Sequence, residues 1–223
     1  EPVLISGSTV KRASLHSFDQ MMKLRLRAND SVYVEKGGEI IPKITGIDIE
    51  NRGSEYDEIK FPTNCPECNS ELVKLDSEAN FFCPNVKECT PQAIGRIQHF
   101  VSRKAMNIDG LGDETIKLLY HKGYLKDISD IYNLDFDSIS LIEGHADKSV
   151  ENLKMGIENS KSKPFQKVLY GLGIRYVGES ASKKILKKIK SIDELMNMSI
   201  ESLSEIDEIG EKTAVSIKEF FQD

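Results

Sequence analysis

The stretch Cys65-Pro66-Glu67-Cys68, followed by Cys83 and Cys89, contains all 4 cysteines of this 223-residue chain. A Cys-x-x-Cys pair followed by a second pair of cysteines is typical of a tetrahedral zinc site, because one tight turn presents two thiolates to the same ion. The second pair, Cys83 and Cys89, is more widely spaced than the first. We therefore predict a zinc module whose ligands are Cys65, Cys68, Cys83 and Cys89.

The alternative interpretation of this stretch is four unrelated buried thiols. No cysteine lies elsewhere in the chain, which favours one common ligand set. Four thiolates complete the coordination of zinc and leave no position for water, and no histidine lies between the two pairs. We expect a structural zinc ion rather than a catalytic one.

Composition and charge are ordinary for a globular protein, with 30% charged residues, 39% hydrophobic residues and a net charge of -6. The sequence contains no run of about 18 apolar residues, which a helix that spans a membrane would need. No signal peptide opens the chain, so we expect a reducing, cytoplasmic location, which suits thiolate ligands. The acidic balance argues mildly against nucleic-acid binding.

The region 1–61 is β-rich. Short β-favouring runs are separated by glycine and Asn-Asp, and Lys36-Gly37-Gly38 predicts a tight turn between two strands. Five strands with one helix would suit a small barrel, and the sequence predicts four strands together with a helix at 18–26. The chain begins at Glu1 without an initiator methionine, so we expect an excerpt of a longer protein. Three of the β-favouring runs in this region lie at 2–5, 31–35 and 39–44.

The region 62–90 is the predicted zinc module. It is too short to build a hydrophobic core of its own, so metal binding of roughly 10–16 kcal/mol would have to stabilise it.

The region 91–223 is helical and internally repeated. A small residue, an acid and a small or hydroxyl residue recur in four copies that start 34, 32 and 32 residues apart. Each copy follows a short turn and precedes an amphipathic run, which predicts helix, tight turn, helix four times over. The copies are Gly112-Asp113-Glu114-Thr115, Ala146-Asp147-Lys148-Ser149, Gly178-Glu179-Ser180-Ala181 and Gly210-Glu211-Lys212-Thr213.

These turns predict phosphate-binding sites. A glycine before a helix lets an anion approach the unpaired backbone N–H groups of the first turn, since no Cβ stands in the way. The alternative is a purely structural role, in which each glycine only caps a helix. Four copies in fixed register favour phosphate binding. The copies differ: the first is intact, the second has Ala146, and the third and fourth have Tyr176 and Glu208 at the first corner.

Charged residues around the turns have two interpretations. The acid after each small residue is expected to stabilise the positive end of its helix. The lysines that follow the third copy are either a solvated face or contacts to a nucleic-acid backbone, whereas Lys148 and Lys212 sit in the turns themselves. The predicted contacts of the repeat are Gly110, Gly112, Lys148, Arg175, Gly178, Gly210 and Lys212. The histidines and carboxylates form no catalytic pattern.

Barrel, zinc module and helix-hairpin-helix copies, in that order, resemble the carboxyl-terminal part of the bacterial NAD-dependent DNA ligases. The resemblance is carried by the four-cysteine spacing and by the segments 7–16, 36–42, 99–103 and 107–112. The sequence departs from the family at Ala28-Asn29-Asp30, where Ile-Gly-Asp is usual, and it contains no Lys-x-Asp-Gly, whose lysine takes up AMP.

The resemblance implies a multidomain α+β chain with a truncated oligonucleotide-binding (OB-like) barrel at 1–61, a four-cysteine zinc finger at 62–90 and a helix-hairpin-helix domain at 91–223. It implies that the parent enzyme uses NAD and magnesium to seal nicks in DNA. This chain would bind the nicked duplex as a monomer in the bacterial cytoplasm with the nucleoid, with Lys11, Arg12 and Lys36 facing the DNA. Without the nucleotidyltransferase domain in cis, the chain alone is expected to be inactive.

Two other classes stay open. A stand-alone zinc and helix-hairpin-helix adaptor for repair or recombination would bind DNA without catalysis. A protein–protein scaffold would not bind DNA at all, and steeply salt-dependent binding to a nicked duplex would count against it.

Overall fold

A computed structural model describes residues 1–5, 7–36, 41–53, 59–74, 78–142 and 147–222. The chain packs as two compact units, Glu1–Val86 and Lys87–Asp223. The finer division at 1–61, 62–90 and 91–223 stays a prediction. Within the described residues, no helix combines the length and the apolar character that crossing a membrane requires.

The described residues of the first unit form two antiparallel strand pairs and one helix. Strand β1 (Val3–Ile5) pairs with β2 (Ser8–Val10), and β3 (Val32–Glu35) pairs with β4 (Lys43–Ile47). Helix α1 (Phe18–Leu24) confirms the predicted helix, with the Ser17 side chain accepting a hydrogen bond at its N-terminus. Such a serine cap is favoured because it satisfies an N–H group that has no partner in the helix.

The strand predicted at 39–44 is displaced towards the carboxyl end. Residues 37–40, which include the predicted Gly37-Gly38 turn, lie outside the described residues. Strand β4 begins after Pro42, which has no N–H group to donate to a strand ladder. Gly46 fits this strand because a Cβ there would lie 3.3 Å from the Tyr33 ring.

A buried ion pair holds the turn between α1 and β3. Asp30, whose side chain is 1% exposed, accepts hydrogen bonds from Nε and Nη2 of Arg52 at 2.8 and 2.6 Å. It also accepts one from the N–H of Arg27 at 2.7 Å. Asn29 takes the left-handed conformation with φ of 66°, which asparagine tolerates better than most residues. Asn29 thus occupies the position of the usual family glycine without loss of the turn.

An aromatic cluster ties α1 to the cysteine-rich segment of the first unit. The ring of Phe61 lies 4.6 Å from that of Phe18 and 4.7 Å from that of Phe81. Beside them, Lys74 donates to Asp19 at 2.9 Å. Apolar contact and one ion pair therefore join two segments that are distant in sequence.

The regular secondary structure in the described part of the second unit is helical. Each of the longer helices buries one apolar stripe, as the repeat pattern predicts. The helices are α2 (Thr90–Val101), α3 (Asp113–His121), α4 (Phe136–Ser140), α5 (Asp147–Ser160), α6 (Phe165–Gly171), α7 (Glu179–Ile185), α8 (Ile192–Asn197), α9 (Ile200–Ser204) and α10 (Glu211–Gln222), with a 3-10 helix at Ser129–Asn133.

Two hydrophobic cores lie among the described residues of this unit. The first lies among α2 to α5 and includes Ile116, and the second lies among α6 to α10 and includes Ile217, both fully buried. Helix α6 serves both cores, because Val168 packs against the first and Leu169 lies in the second. Gly171 permits the close approach of Phe100, whose ring would lie 3.1 Å from an added Cβ.

Candidate zinc site and nucleic-acid interface

The first cysteine pair lies on a tight turn. The carbonyl of Cys65 accepts from the N–H of Asn69 at 2.9 Å, and the N–H of Cys65 donates to Ser70 at 2.8 Å. Asn69 supplies the left-handed residue with φ of 58°. This local hydrogen bonding turns the chain so that Cys65 and Cys68 reach the same point.

The second cysteine pair ends at a helix. Val73 and Phe82 exchange backbone hydrogen bonds of 2.9 Å, which brings Cys83 back to the first pair. Cys89 is the residue before α2, and its carbonyl accepts from the N–H groups of Gln92 and Ala93. Cys65 and Cys89 are buried, being 7% and 2% exposed.

The geometry fits a structural zinc ion. All four Sγ atoms lie within 4.8 Å of one another, and those of Cys68 and Cys83 are 3.4 Å apart. Tetrahedral zinc with sulfur ligands at about 2.3 Å would separate them by about 3.8 Å. None of the four forms a disulfide. Hydrogen bonding to Ser70 lowers the pKa of Cys68 to about 6, so a thiolate is available near neutral pH.

The four cysteines therefore form the structural zinc site that their spacing predicts. Four thiolates complete the coordination shell, so the ion would hold the fold and would not activate water. Within the described ranges, no other cluster of three or more potential metal ligands is found.

The hairpins of the second unit share one backbone geometry. In the three copies whose turns are described, the first corner is left-handed and two buried apolar residues flank it, such as Ile174 and Val177 in the third copy. The second hairpin turn, with Gly144 and Ala146, lies outside the described residues. The φ angles at Gly110, Tyr176 and Glu208 are 87°, 66° and 65°.

The second corner of each described hairpin is open. A Cβ added at Gly112, Gly178 or Gly210 would meet nothing within 4 Å in the described part of the chain. The backbone at these glycines has no positive φ of the kind that favours glycine. Neither conformation nor packing within this chain therefore requires a glycine there, although three copies have one. Glycine is also an acceptable helix cap, which is the structural alternative to phosphate binding.

The first corner of the first hairpin is turned inward. A Cβ at Gly110 would lie 2.9 Å from Cα of Leu153 in α5. In the other direction, a Cβ at Gly156 of α5 would lie 2.2 Å from the carbonyl oxygen of Asp109. Gly110 is thus needed for packing against α5, and its predicted contact with DNA stays a prediction.

The predicted basic residues lie at the surface, in both units. Lys11 and Arg12 follow β2, and Lys36 reaches β2 by donating to Oγ of Ser8 at 3.0 Å. Lys148 and Lys212 lie exposed in the first turns of α5 and α10, and Arg175 lies exposed in the third hairpin. The structure thus brings Lys36 to β2, which Lys11 and Arg12 follow, and it places Lys148, Lys212 and Arg175 at hairpins.

The lysines after the third copy do not share one role. Lys184 forms ion pairs with Asp207 and with Glu208, the latter at 3.3 Å, and these hydrogen bonds raise its pKa. Lys183 lies 3.4 Å from Glu179, one helical turn away. Lys184 therefore neutralises the acidic fourth hairpin. No local pattern in the sequence signals this contact, because Lys184 and Asp207 are 23 residues apart.

Four family models match successive parts of the chain. The NAD-dependent DNA ligase OB-fold domain matches residues 1–56, and the NAD-dependent DNA ligase C4 zinc finger domain matches residues 64–90. A SAM-like helix-hairpin-helix tandem matches residues 102–159, and a helix-hairpin-helix motif matches residues 167–223. Together they define a zinc-containing chain built from nucleic-acid-binding folds.

Curated relatives agree with these matches along nearly the whole chain. A DNA ligase from Flavobacterium psychrophilum is 52% identical over 221 residues, covering 99% of this chain and 33% of the relative. A DNA ligase from Bacteroides fragilis is also 52% identical with the same coverage, and one from Cytophaga hutchinsonii is 48% identical. The domains of this chain are those of the carboxyl-terminal part of NAD-dependent DNA ligases, and the chain spans about a third of the length of these relatives.

Proposed function

We propose that this chain is the part of a DNA ligase that binds duplex DNA. The ligase seals nicks between a 5′-phosphate and a 3′-hydroxyl. The whole protein would transfer AMP from NAD to its own lysine and then to the 5′-phosphate, and magnesium would neutralise phosphate charge in those steps. The protein would act as a monomer on nicked duplex in the bacterial cytoplasm, with the nucleoid. The family and the relatives named DNA ligase support this proposal.

The observation that carries the proposal is the open second corner of the hairpins. Gly112, Gly178 and Gly210 each precede a helix, and each leaves space where a side chain would stand. A ligand outside the chain accounts for glycine at positions where the protein itself does not need it. A phosphate fits, because the first N–H groups of a helix lack partners within the helix and the helix dipole favours an anion.

Cations that are exposed, or half-buried in the case of Lys36, supplement these backbone contacts. Lys148, Arg175 and Lys212 lie at the hairpins of the second unit, and Lys11, Arg12 and Lys36 at β2 and β3 of the first. Contacts of this kind bind the phosphate backbone and carry no base information, so we expect binding without sequence preference. Backbone amides need no dense positive charge, which reconciles DNA binding with the net charge of -6.

The chain itself is not expected to accept AMP. Its 223 residues contain no Lys-x-Asp-Gly. Incubation with labelled NAD should leave this chain unlabelled, and a covalent AMP adduct would contradict the proposed division of labour between this chain and the rest of the protein.

The proposal is tested by replacing the three open glycines. The triple variant Gly112→Ala, Gly178→Ala, Gly210→Ala should fold, since each Cβ enters open space. Its affinity for a nicked duplex should fall at least about tenfold, because every methyl group blocks a phosphate; fluorescence anisotropy with a labelled duplex measures this. Each change should cost at most about 1 kcal/mol of helix capping.

The matched control is Gly95→Ala. Gly95 lies inside α2 and also has nothing within 4 Å of an added Cβ. This variant should gain up to about 1 kcal/mol of stability and bind DNA as the unmodified chain does. Equal affinity of the triple variant and the control would refute the phosphate role of the open corners.

A further inference from the structure

The tip of the third hairpin carries an exposed aromatic side chain in a strained backbone position. Tyr176 is 45% exposed and has φ of 66°, a conformation in which a bulky side chain is an outlier. Ile174, two residues before it, and Val177, directly after it, are 3% and 4% exposed, so the tip is fixed to the core. A ring that is nearly half exposed gains less from burial to offset its strain than a buried ring would.

A guanidinium lies beside this ring. Cζ of Arg175 is 5.1 Å from the centroid of the Tyr176 ring, within the range of a cation–π contact. The pair therefore presents an aromatic face and a positive charge side by side. Planar cations and aromatic rings are among the side-chain groups that contact sugars, bases and phosphates of nucleic acids.

The other described hairpins lack this combination. In the first hairpin, Gly110 is packed against the backbone of α5 and has no side chain. In the fourth, Glu208 occupies the same position and is engaged by Lys184 and Ser180. The same left-handed position thus holds a packed glycine, an exposed aromatic ring and a neutralised acid in three copies of one motif.

We propose that Tyr176 and Arg175 form a specific contact of the third hairpin with duplex DNA, in which the ring lies against a deoxyribose or base edge and the guanidinium against the adjoining phosphate. This inference rests on the proposed function and assigns one of its contacts. The contact is independent of the hairpin glycines, because it is made by side chains rather than by backbone amides.

The decisive variant is Tyr176→Gly. Glycine adopts φ of 66° without strain, and removal of an exposed ring leaves no cavity. The variant should therefore unfold at an equal or higher urea concentration than the unmodified chain. Its Kd for a nicked duplex should nevertheless rise roughly tenfold, as expected for loss of one stacking contact. Tyr176→Phe, which keeps the ring, should retain most of the affinity.

The matched control is Glu208→Gly, which relieves the same strain at the same position of the fourth hairpin. It should bind DNA as well as the unmodified chain or more tightly, since an acid is lost. If Tyr176→Gly binds as the unmodified chain does, the inference is wrong while the proposed function stands. If the unmodified chain itself does not bind the duplex, both are wrong.

A second measurement uses the absence of tryptophan, since the sequence contains 0 tryptophans. Tyr176→Trp would make the only indole of the chain a reporter at the hairpin tip. Titration with a nicked duplex should change its emission in parallel with binding measured by anisotropy. Unchanged emission at saturating DNA would overturn the proposed contact.

Discussion

The two units of this chain are stabilised by different kinds of interaction. In the first unit, the buried apolar residues among those described are Val10 and Cys65 alone, and the fold depends on cysteines, an aromatic cluster and the Asp30–Arg52 ion pair. In the second unit, apolar side chains fill two cores. A unit with little apolar burial needs a metal or polar contacts in its place, so the units should respond differently to the same perturbation.

The largest expected effect is metal removal. Chelation of zinc should unfold the cysteine-rich segment and loosen α1 through the aromatic cluster, because metal binding of about 10–16 kcal/mol is lost. The helical circular dichroism of the second unit should largely remain. Hydrogen exchange read by mass spectrometry distinguishes the units, and unchanged protection across residues 59–86 of the metal-free protein would contradict this expectation.

The next effect concerns the apolar cores. Ile116→Ala removes a fully buried side chain from the first core of the second unit and should cost about 2–5 kcal/mol in urea denaturation. Leu141→Ala is the control, because Leu141 is 87% exposed and its loss should change stability by less than about 0.5 kcal/mol. Similar losses in the two variants would show that the core assignment is wrong.

A smaller effect is expected at the buried ion pair of the first unit. Asp30→Asn leaves Arg52 without its carboxylate and should cost about 1–3 kcal/mol at neutral pH. The pH dependence follows from the direction of the pKa shift. Hydrogen bonds from Arg52 lower the pKa of Asp30 below its usual 3.8, so the stabilisation is present above that value and is lost as pH falls through the lowered pKa.

The difference between the unmodified chain and Asp30→Asn should accordingly close in acid, below about pH 4. Urea denaturation at several pH values measures it, and Glu50→Gln, an exposed carboxyl of the same unit, is the control. A gap that persists unchanged at low pH would mean that Asp30 stabilises the turn by shape rather than by charge.

The smallest effect is expected from single cations. Lys212→Gln should leave stability unchanged, weaken binding to a duplex a few-fold and reduce the slope of log K against log salt by about 0.9. Lys126→Gln, an exposed lysine outside the predicted contacts, should leave the slope as it is. Identical slopes for both variants would remove Lys212 from the interface.

The predictions from sequence succeeded where the signal is local. The zinc ligands follow from cysteine spacing, the helix near residue 18 from its pattern, and the hairpins from a repeated phrase, because each depends on residues that are neighbours in the chain. Strand β4 was placed too early, since pairing with β3 and the missing donor of Pro42 decide its start.

The sequence by itself determined which chemistry this protein carries: four thiolates for one metal ion, and glycine before a helix in three of the four repeats. Only the tertiary structure decided how these groups are used. Packing against α5 turned Gly110 inward, the contact between Lys184 and the fourth hairpin neutralised Asp207 and Glu208, and Tyr176 was left exposed. The physical reason is that a spacing fixes which atoms can meet locally, whereas burial and charge pairing depend on segments brought together by the fold.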